Sequence, residues 1–220
     1  MGVTRVVFEE DLGRIHRDVL TMGVRVEEDL RKAVTALKEG DAELAAFVKE
    51  DDSFVNSMQV RIEDSVVMAI ATQQPVAKDL RELVAVLRLS PMLERIGDYA
   101  VHLAKASRKI DRKAWPAQTE DLVHMGETGA SMVRSAVEAF LARDVDLARK
   151  TAVRDDEIDE RYHRIVADCL ASMKADPANV EGAAKIMRTG SSLERLGDHV
   201  TNMCELTIYL VEGVHEELNA

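Results

Sequence analysis

The residues best suited to chemistry in this sequence are acidic side chains spaced four apart, and the most distinctive of them occur twice. Leu93-Glu94-Arg95-Ile96-Gly97-Asp98 and Leu193-Glu194-Arg195-Leu196-Gly197-Asp198 differ only in the exchange of Ile96 for Leu196. On a helix, positions i and i+4 are neighbours, so Glu94 pairs with Asp98 and Glu194 with Asp198. Like charges at that spacing weaken a helix by roughly 0.2–0.5 kcal/mol, and an interior glycine costs about 0.5–1 kcal/mol relative to alanine. Local stability does not account for the hexapeptide. A cation between the carboxylates, or a close backbone approach at the glycine, would.

The preceding helical segment of each half offers a second pair. Asp52 and Asn56 stand at i and i+4 with Glu63 on the same side, and Asp155 and Asp159 occupy the matching places in the second half. The candidate metal residues are therefore Asp52, Asn56, Glu94 and Asp98 in one cluster and Asp155, Asp159, Glu194 and Asp198 in the other. Oxygen donors suit hard or borderline cations better than a structural zinc; the choice among Fe, Mn, Mg, Zn and Ca stays open. Any single acidic pair is explained as a solvated face, with Glu94 and Glu194 paired to arginines. Four pairs in register across a duplication favour cation binding.

Other constellations carry less. Glu160-Arg161-Tyr162-His163 has the Glu-x-x-His spacing of di-iron sites, which need that motif on two helices; no second in-register copy is present. A di-iron carboxylate oxidase on a helical scaffold is thus the alternative reading, with His163 its test residue. His102 and His199 lie near the acidic face as candidate outer ligands. No Gly-rich phosphate loop, Ser-His-Asp arrangement or metalloprotease His-Glu motif occurs, so the expected protein is not an enzyme.

These residues need long helices to position them, and the sequence supplies the periodicity. Leu12, Ile15, Val19, Met22, Val26, Leu30, Val34 and Leu37 mark a first helix over about 8–37. Gly40 and Asp41 read as a left-handed stop followed by an N-cap. A second helix reaches about Thr72, where Gln73-Gln74-Pro75 breaks it, and a third runs from about Val76 to Ile110. After the polar, proline-terminated stretch Asp111 to Pro116 the order repeats: helix four over about 118–141, a restart at Asp144, a continuous helix five to about Met173, and helix six opening at Asp176-Pro177 and ending near Val211. Met22-Gly23 recurs at Met125-Gly126 and Asp52 at Asp155, 103 positions later; the hexapeptides are 100 apart (94 to 194), so the second copy is about three residues shorter. The expected fold is all-α, two tandem antiparallel three-helix bundles related by internal duplication, with domains over 1–112 and 113–220.

Composition agrees with helix. Of 220 residues 46% are hydrophobic, only 4% aromatic, and there are four prolines. The formal net charge of −11 removes any general attraction to nucleic acid or anionic membrane. Neither a signal peptide nor a membrane span is evident, which predicts a cytoplasmic protein. Cys169 and Cys204 lack Cys-x-x-Cys spacing and read as buried free thiols.

Three stretches resemble the PhoU family of phosphate-signalling proteins: Gln74-Pro75-Val76-Ala77-Lys78-Asp79-Leu80-Arg81, Leu93 to Ala100, and Leu193 to Asp198. The resemblance implies two three-helix PhoU domains, multinuclear iron or other divalent ions held by acidic-x-x-x-Asp pairs, and regulation of phosphate uptake. Its implied partners are the phosphate ABC transporter ATPase and a sensor histidine kinase, with the starvation response restrained when phosphate is plentiful. A homodimer, peripheral to membrane complexes, is the expected assembly. Asn56 departs from the acidic pattern, which weakens the first cluster. The second half lacks the Gln-Pro-x-x-x-Asp-Leu-Arg stretch, so the two halves need not share a partner.

Overall fold

The computed structural model describes residues 2–218, with side chains described from Arg5 onward. Helix α1 spans Gly2–Glu39, α2 Ala42–Gln73 and α3 Lys78–Ser107; α4 spans Pro116–Ala142, α5 Val145–Ala152, α6 Asp155–Ala175 and α7 Val180–Glu212. Among the described residues there is no β-strand. Helices α1, α2 and α3 pack on one another as the first bundle, and α4, α5–α6 and α7 form the second.

The turns follow the local chemistry. Gly40 adopts φ +78°, and Asp41 accepts hydrogen bonds from the amides of Glu43 and Leu44, both at 2.9 Å. Asp144 caps α5 through the Leu147 amide at 2.9 Å. Pro116 sits in the first turn of α4, where its missing N–H leaves no hydrogen bond unmade. At the end of α2, Gln74 itself turns left-handed, with φ 49°, before Pro75.

Three expectations are corrected. Helix five is not continuous: it breaks at Val153 and Arg154 into α5 and α6. Arg149 and Lys150 sit in the last turn of α5, and Asp155, Asp156 and Glu157 in the first turn of α6. Each set complements the dipole at its own helix end, so these charges stabilise two termini. Asp176 and Pro177 open a 3₁₀ turn over Pro177–Asn179 rather than the last α-helix, which begins at Val180. Helix α3 is also shorter than its periodicity suggests, starting after Ala77 and ending at Ser107.

The bundles lie side by side on one continuous core running from Phe8 to Leu210. Helix α1 packs against α4 and α3 against α7. A Cβ on Gly23 would stand 2.7 Å from Val137, and one on Gly126 would meet Val34 at 2.5 Å. Each contact is the other with the halves exchanged, the mark of a two-fold relation between repeats. As numbering rises along α1 it falls along α4, so the two helices are antiparallel. The rings of Tyr99 and His199, equivalent positions of α3 and α7, face each other with centroids 5.9 Å apart, near the same pseudo-axis.

Candidate metal centres

Each acidic cluster is built by two antiparallel helices, α2 with α3 and α6 with α7. The hexapeptide glycines let these helices approach. A Cβ on Gly97 would come within 3.3 Å of Val55 on α2, and one on Gly197 would collide with the Asp155 carboxylate on α6. The hexapeptide glycine is thus a close-packing residue in both halves, while its neighbouring acids line the groove beside the contact.

In the first groove Asp52, Glu94 and Asp98 lie within electrostatic reach of one another. Burial, then the charge of Asp98, pushes the Asp52 carboxyl above its usual range; Lys105 and a hydrogen bond from Asn56 at 3.4 Å oppose the rise. Burial and Asp98 raise Glu94 too, with Asp52 adding to the effect and Arg95 opposing it. Asn56 serves as a neutral neighbour of Asp52. Glu63 is held by Gln59 at 2.8 Å.

In the second groove the gathered carboxylates are Asp159, Glu194 and Asp198. Burial and then Asp198 raise Asp159, and burial, Asp198 and Asp159 raise Glu194. Asp155 is only 3% exposed. It sits below the groove against Gly197 and accepts a hydrogen bond from the Thr201 hydroxyl at 3.1 Å. Its place in the first turn of α6 favours a buried negative charge.

Of the histidines, exposed His163 acts electrostatically on both Asp159 and Glu194 and so stands at the rim of the second groove. Glu160, its motif partner, acts instead on Arg164. Half-buried His199 is pushed down by burial, with Asp198 opposing and Arg95 assisting. His102 is exposed between α3 and α7. Both cysteines are free and buried, and burial pushes the thiols of Cys169 and Cys204 up to about 11 and about 12.

Several acidic residues with structural roles carry no acidic i, i+4 signature because their partners lie on other helices. Asp18 pairs with Arg61 at 3.1 Å and Asp121 with Arg164 at 2.6 Å, joining α1 to α2 and α4 to α6 at equivalent positions. The shared 103-residue offset of both partners was the available signal. Buried Glu27 on α1 is bound by Arg31 and by Arg134 of α4, each at 2.8 Å. Buried Glu82 on α3 meets His16 at 3.1 Å and Arg143. Asp29 on α1 lies against Asp51 on α2, and burial together with that second carboxyl pushes Asp29 up to about 7.

Each groove's donor set is one that hard divalent ions and iron accept: carboxylate oxygens, partly buried, mutually repelling. A bound cation would remove that repulsion. Among the described residues no three His, Cys, Asp or Glu side chains converge as a ready-made single-ion cage. The fit lies in donor chemistry and charge, with the residues available being Asp52, Glu94 and Asp98, and Asp159, Glu194 and Asp198.

A PhoU-domain family model matches residues 19–107 and again 122–207. The phosphate-specific transport system accessory protein PhoU homolog of Clostridium acetobutylicum is 35% identical over 99% of this chain and 100% of its own length. The phosphate-specific transport system accessory protein PhoU of Escherichia coli is 33% identical over 94% of this chain and 86% of its length. The crystal structure of PhoU from Pseudomonas aeruginosa aligns with a TM-score of 0.89 at 34% identity, covering 94% of this chain and 100% of that one. The phosphate transport system regulatory protein PhoU from Streptococcus pneumoniae aligns with a TM-score of 0.87 at 27% identity, over 95% and 99% of the two chains. With two copies of the domain, the all-helical fold and relatives matched end to end, this chain belongs to the PhoU family.

Proposed function

We propose that this protein is a non-enzymatic accessory regulator of phosphate uptake and phosphate-starvation signalling. The observation that carries the reading is the end-to-end match to a protein named for accessory function in phosphate-specific transport. In this reading it is an adaptor between the ATPase of a phosphate ABC transporter and a sensor histidine kinase, restraining the starvation response when phosphate is plentiful. It works as a cytoplasmic homodimer that meets membrane complexes peripherally; no helix among the described residues is long and apolar enough to cross a membrane.

The two grooves hold divalent or iron-type ions. Asp52, Glu94 and Asp98 would hold the first, with Asn56 supplying a neutral oxygen, and Asp159, Glu194 and Asp198 the second, with Asp155 supporting it from below. A bound ion would add positive charge beyond what Arg95 brings to Asp98 at 3.7 Å and Lys105 to Asp52. The chain's own residues fix the spacing: Gly97 and Gly197 set how closely the paired helices approach. The test is reconstitution with the transporter ATPase and the kinase, with and without phosphate. Binding to both is expected, and binding to neither would refute the adaptor role. One observation, His163 at the rim of the second groove, favours an oxidase as the second reading. Oxygen consumption with ferrous iron that disappears in His163→Ala would establish it.

A further inference from the structure

The pseudo-two-fold axis relates two grooves between α3 and α7, at opposite ends of that contact, and only one of them receives a further segment of the chain. That groove, about 280 Å³, is lined by Arg88 and Met92 of α3 and by Asn202, Glu205, Leu206 and Tyr209 of α7. Into it runs the chain's own segment after α7. His215 stacks on Tyr209 with centroids 4.3 Å apart, Glu216 is bound by Arg149 at 2.7 Å, and the Leu218 amide donates to Glu205 at 2.8 Å. The helix pair therefore takes a non-helical peptide segment along this groove.

The equivalent groove at the other end, about 400 Å³, exchanges the helices: His102, Lys105, Ala106 and Lys109 come from α3, and Arg188 and Ser192 from α7. Each stands 100 positions from its counterpart (105 and 205, 109 and 209, 188 and 88). The arginine is kept, but Glu205 is replaced by Lys105 and Tyr209 by Lys109. Met92 and Leu206 become the smaller Ser192 and Ala106, which widens the floor. Glu205 asks its occupant for a donor; Lys105 and Lys109 ask for acceptors. Among the described residues Lys105, Lys109 and Arg188 form no ion pair, although the chain carries 40 acidic residues against 29 basic ones.

We propose that this second α3–α7 groove is a docking site for an extended acidic segment of a partner protein, bound in the manner of the chain's own tail but with carboxylates meeting Lys105, Lys109 and Arg188. Peptide is favoured over a small oxyanion because the equivalent groove, on the same two helices, already holds one. The chain's own tail is not the occupant, since Arg149 binds Glu212 and Glu216 at the other end. The site adjoins the first acidic cluster only through Lys105, which also acts on Asp52; Lys109 and Arg188 carry the test apart from either cluster.

The test is fluorescence anisotropy with a dye-labelled peptide of alternating Glu and Leu, and a control with Gln for every Glu. Lys109→Glu combined with Arg188→Glu should weaken the acidic peptide at least about tenfold, the scale of losing close charge partners in an interface. Lys105 is spared because it also faces Asp52. Arg88→Glu, in the groove lined by the tail, should change affinity less than about twofold, and rising salt should weaken binding. Melting followed by circular dichroism confirms that the variants fold. A double variant that melts early is replaced by Lys109→Gln with Arg188→Gln, for which the same direction is expected. Equal binding of the Gln peptide, or full affinity in the folded double variant, would overturn the proposal. So would inorganic phosphate that displaces the peptide and binds alone with the same dependence on Lys109 and Arg188, which would make the groove an oxyanion site.

Discussion

The two acidic grooves share a third-helix hexapeptide and differ in how the neighbouring helix meets it. In the first, α2 runs unbroken past Gly97, the contact is Val55, and Asp52 shares the groove with Glu94 and Asp98. In the second, the chain breaks at Val153 and Arg154, Asp155 becomes a buried residue at a helix start against Gly197, and Asp159 takes the groove position one turn later. Thr201, which holds Asp155, is Val101 in the first half. A duplicated scaffold thus keeps three groove carboxylates while moving the one contributed by the preceding helix.

The two grooves differ most at the glycines. In Gly197→Ala the new methyl meets a short, buried carboxylate that is already hydrogen-bonded, so the helices must separate. A loss of about 2–4 kcal/mol is expected, after allowing for the better helix propensity of alanine. In Gly97→Ala the neighbour is a valine methyl at 3.3 Å that needs to give only a few tenths of an ångström. A change within about 1 kcal/mol is expected there. Urea unfolding of both variants decides it, and equal losses would dissolve the distinction. Next in size, Thr201→Val strips the buried Asp155 of a hydrogen bond and should cost about 1–3 kcal/mol. Val101→Thr, with no buried carboxylate to serve, should bring no comparable gain.

The sequence made the scaffold legible because long helices write their burial as a 3.6-residue period, and Leu93, Ile96, Ala100 and Leu103 are all buried as that period requires. It also singled out the hexapeptides, because a duplication exposes anything kept against local cost. It hid the break after Ala152, since Arg149, Lys150 and the acids from Asp155 to Glu157 look alike whether they decorate one helix or end two. The burial of Asp155 depends on Gly197 and Thr201 more than 40 positions away, and no local spacing reports such a contact. The same holds for Asp29 and Asp51, which face each other from different helices.

That pair gives a third, smaller effect confined to one half, because Met132 and Arg154 occupy the equivalent positions in the other. Asp29 is pushed up to about 7 by burial and by Asp51, so the folded chain holds this proton more tightly than the unfolded one. Its contribution to stability is full below about pH 4 and is lost as pH rises through about 7. Asp29→Asn, neutral at every pH, should therefore gain on the wild type from pH 4 upward and level off near pH 8. The gain should reach about 1–2 kcal/mol, offset in part because asparagine forms no ion pair with the Lys32 ammonium. Parallel denaturation curves at pH 4, 6 and 8 check it; a constant difference would mean that Asp29 is ionised throughout.

The smallest effect in apo protein, and the one that tests the grooves as binding sites, comes from removing one charge from each. Asp98 is the charge that raises both Asp52 and Glu94, and Asp198 the one that raises both Asp159 and Glu194. With chelator present, Asp98→Asn and Asp198→Asn should each stabilise the fold by a few tenths of a kcal/mol, since these partly exposed groups repel through solvent. With Mn²⁺ present the order should reverse, because an ion that binds only the folded state stabilises the wild type and not the variants. Lowering the pH protonates the raised carboxyls first, so the Mn²⁺-induced shift in melting temperature should be smaller at pH 5 than at pH 7.5. Asn56→Asp then adds a fourth carboxylate to the first groove alone. It should lower stability in chelator and enlarge the Mn²⁺ shift, and a shift that stays unchanged would show that Asn56 does not face a bound ion.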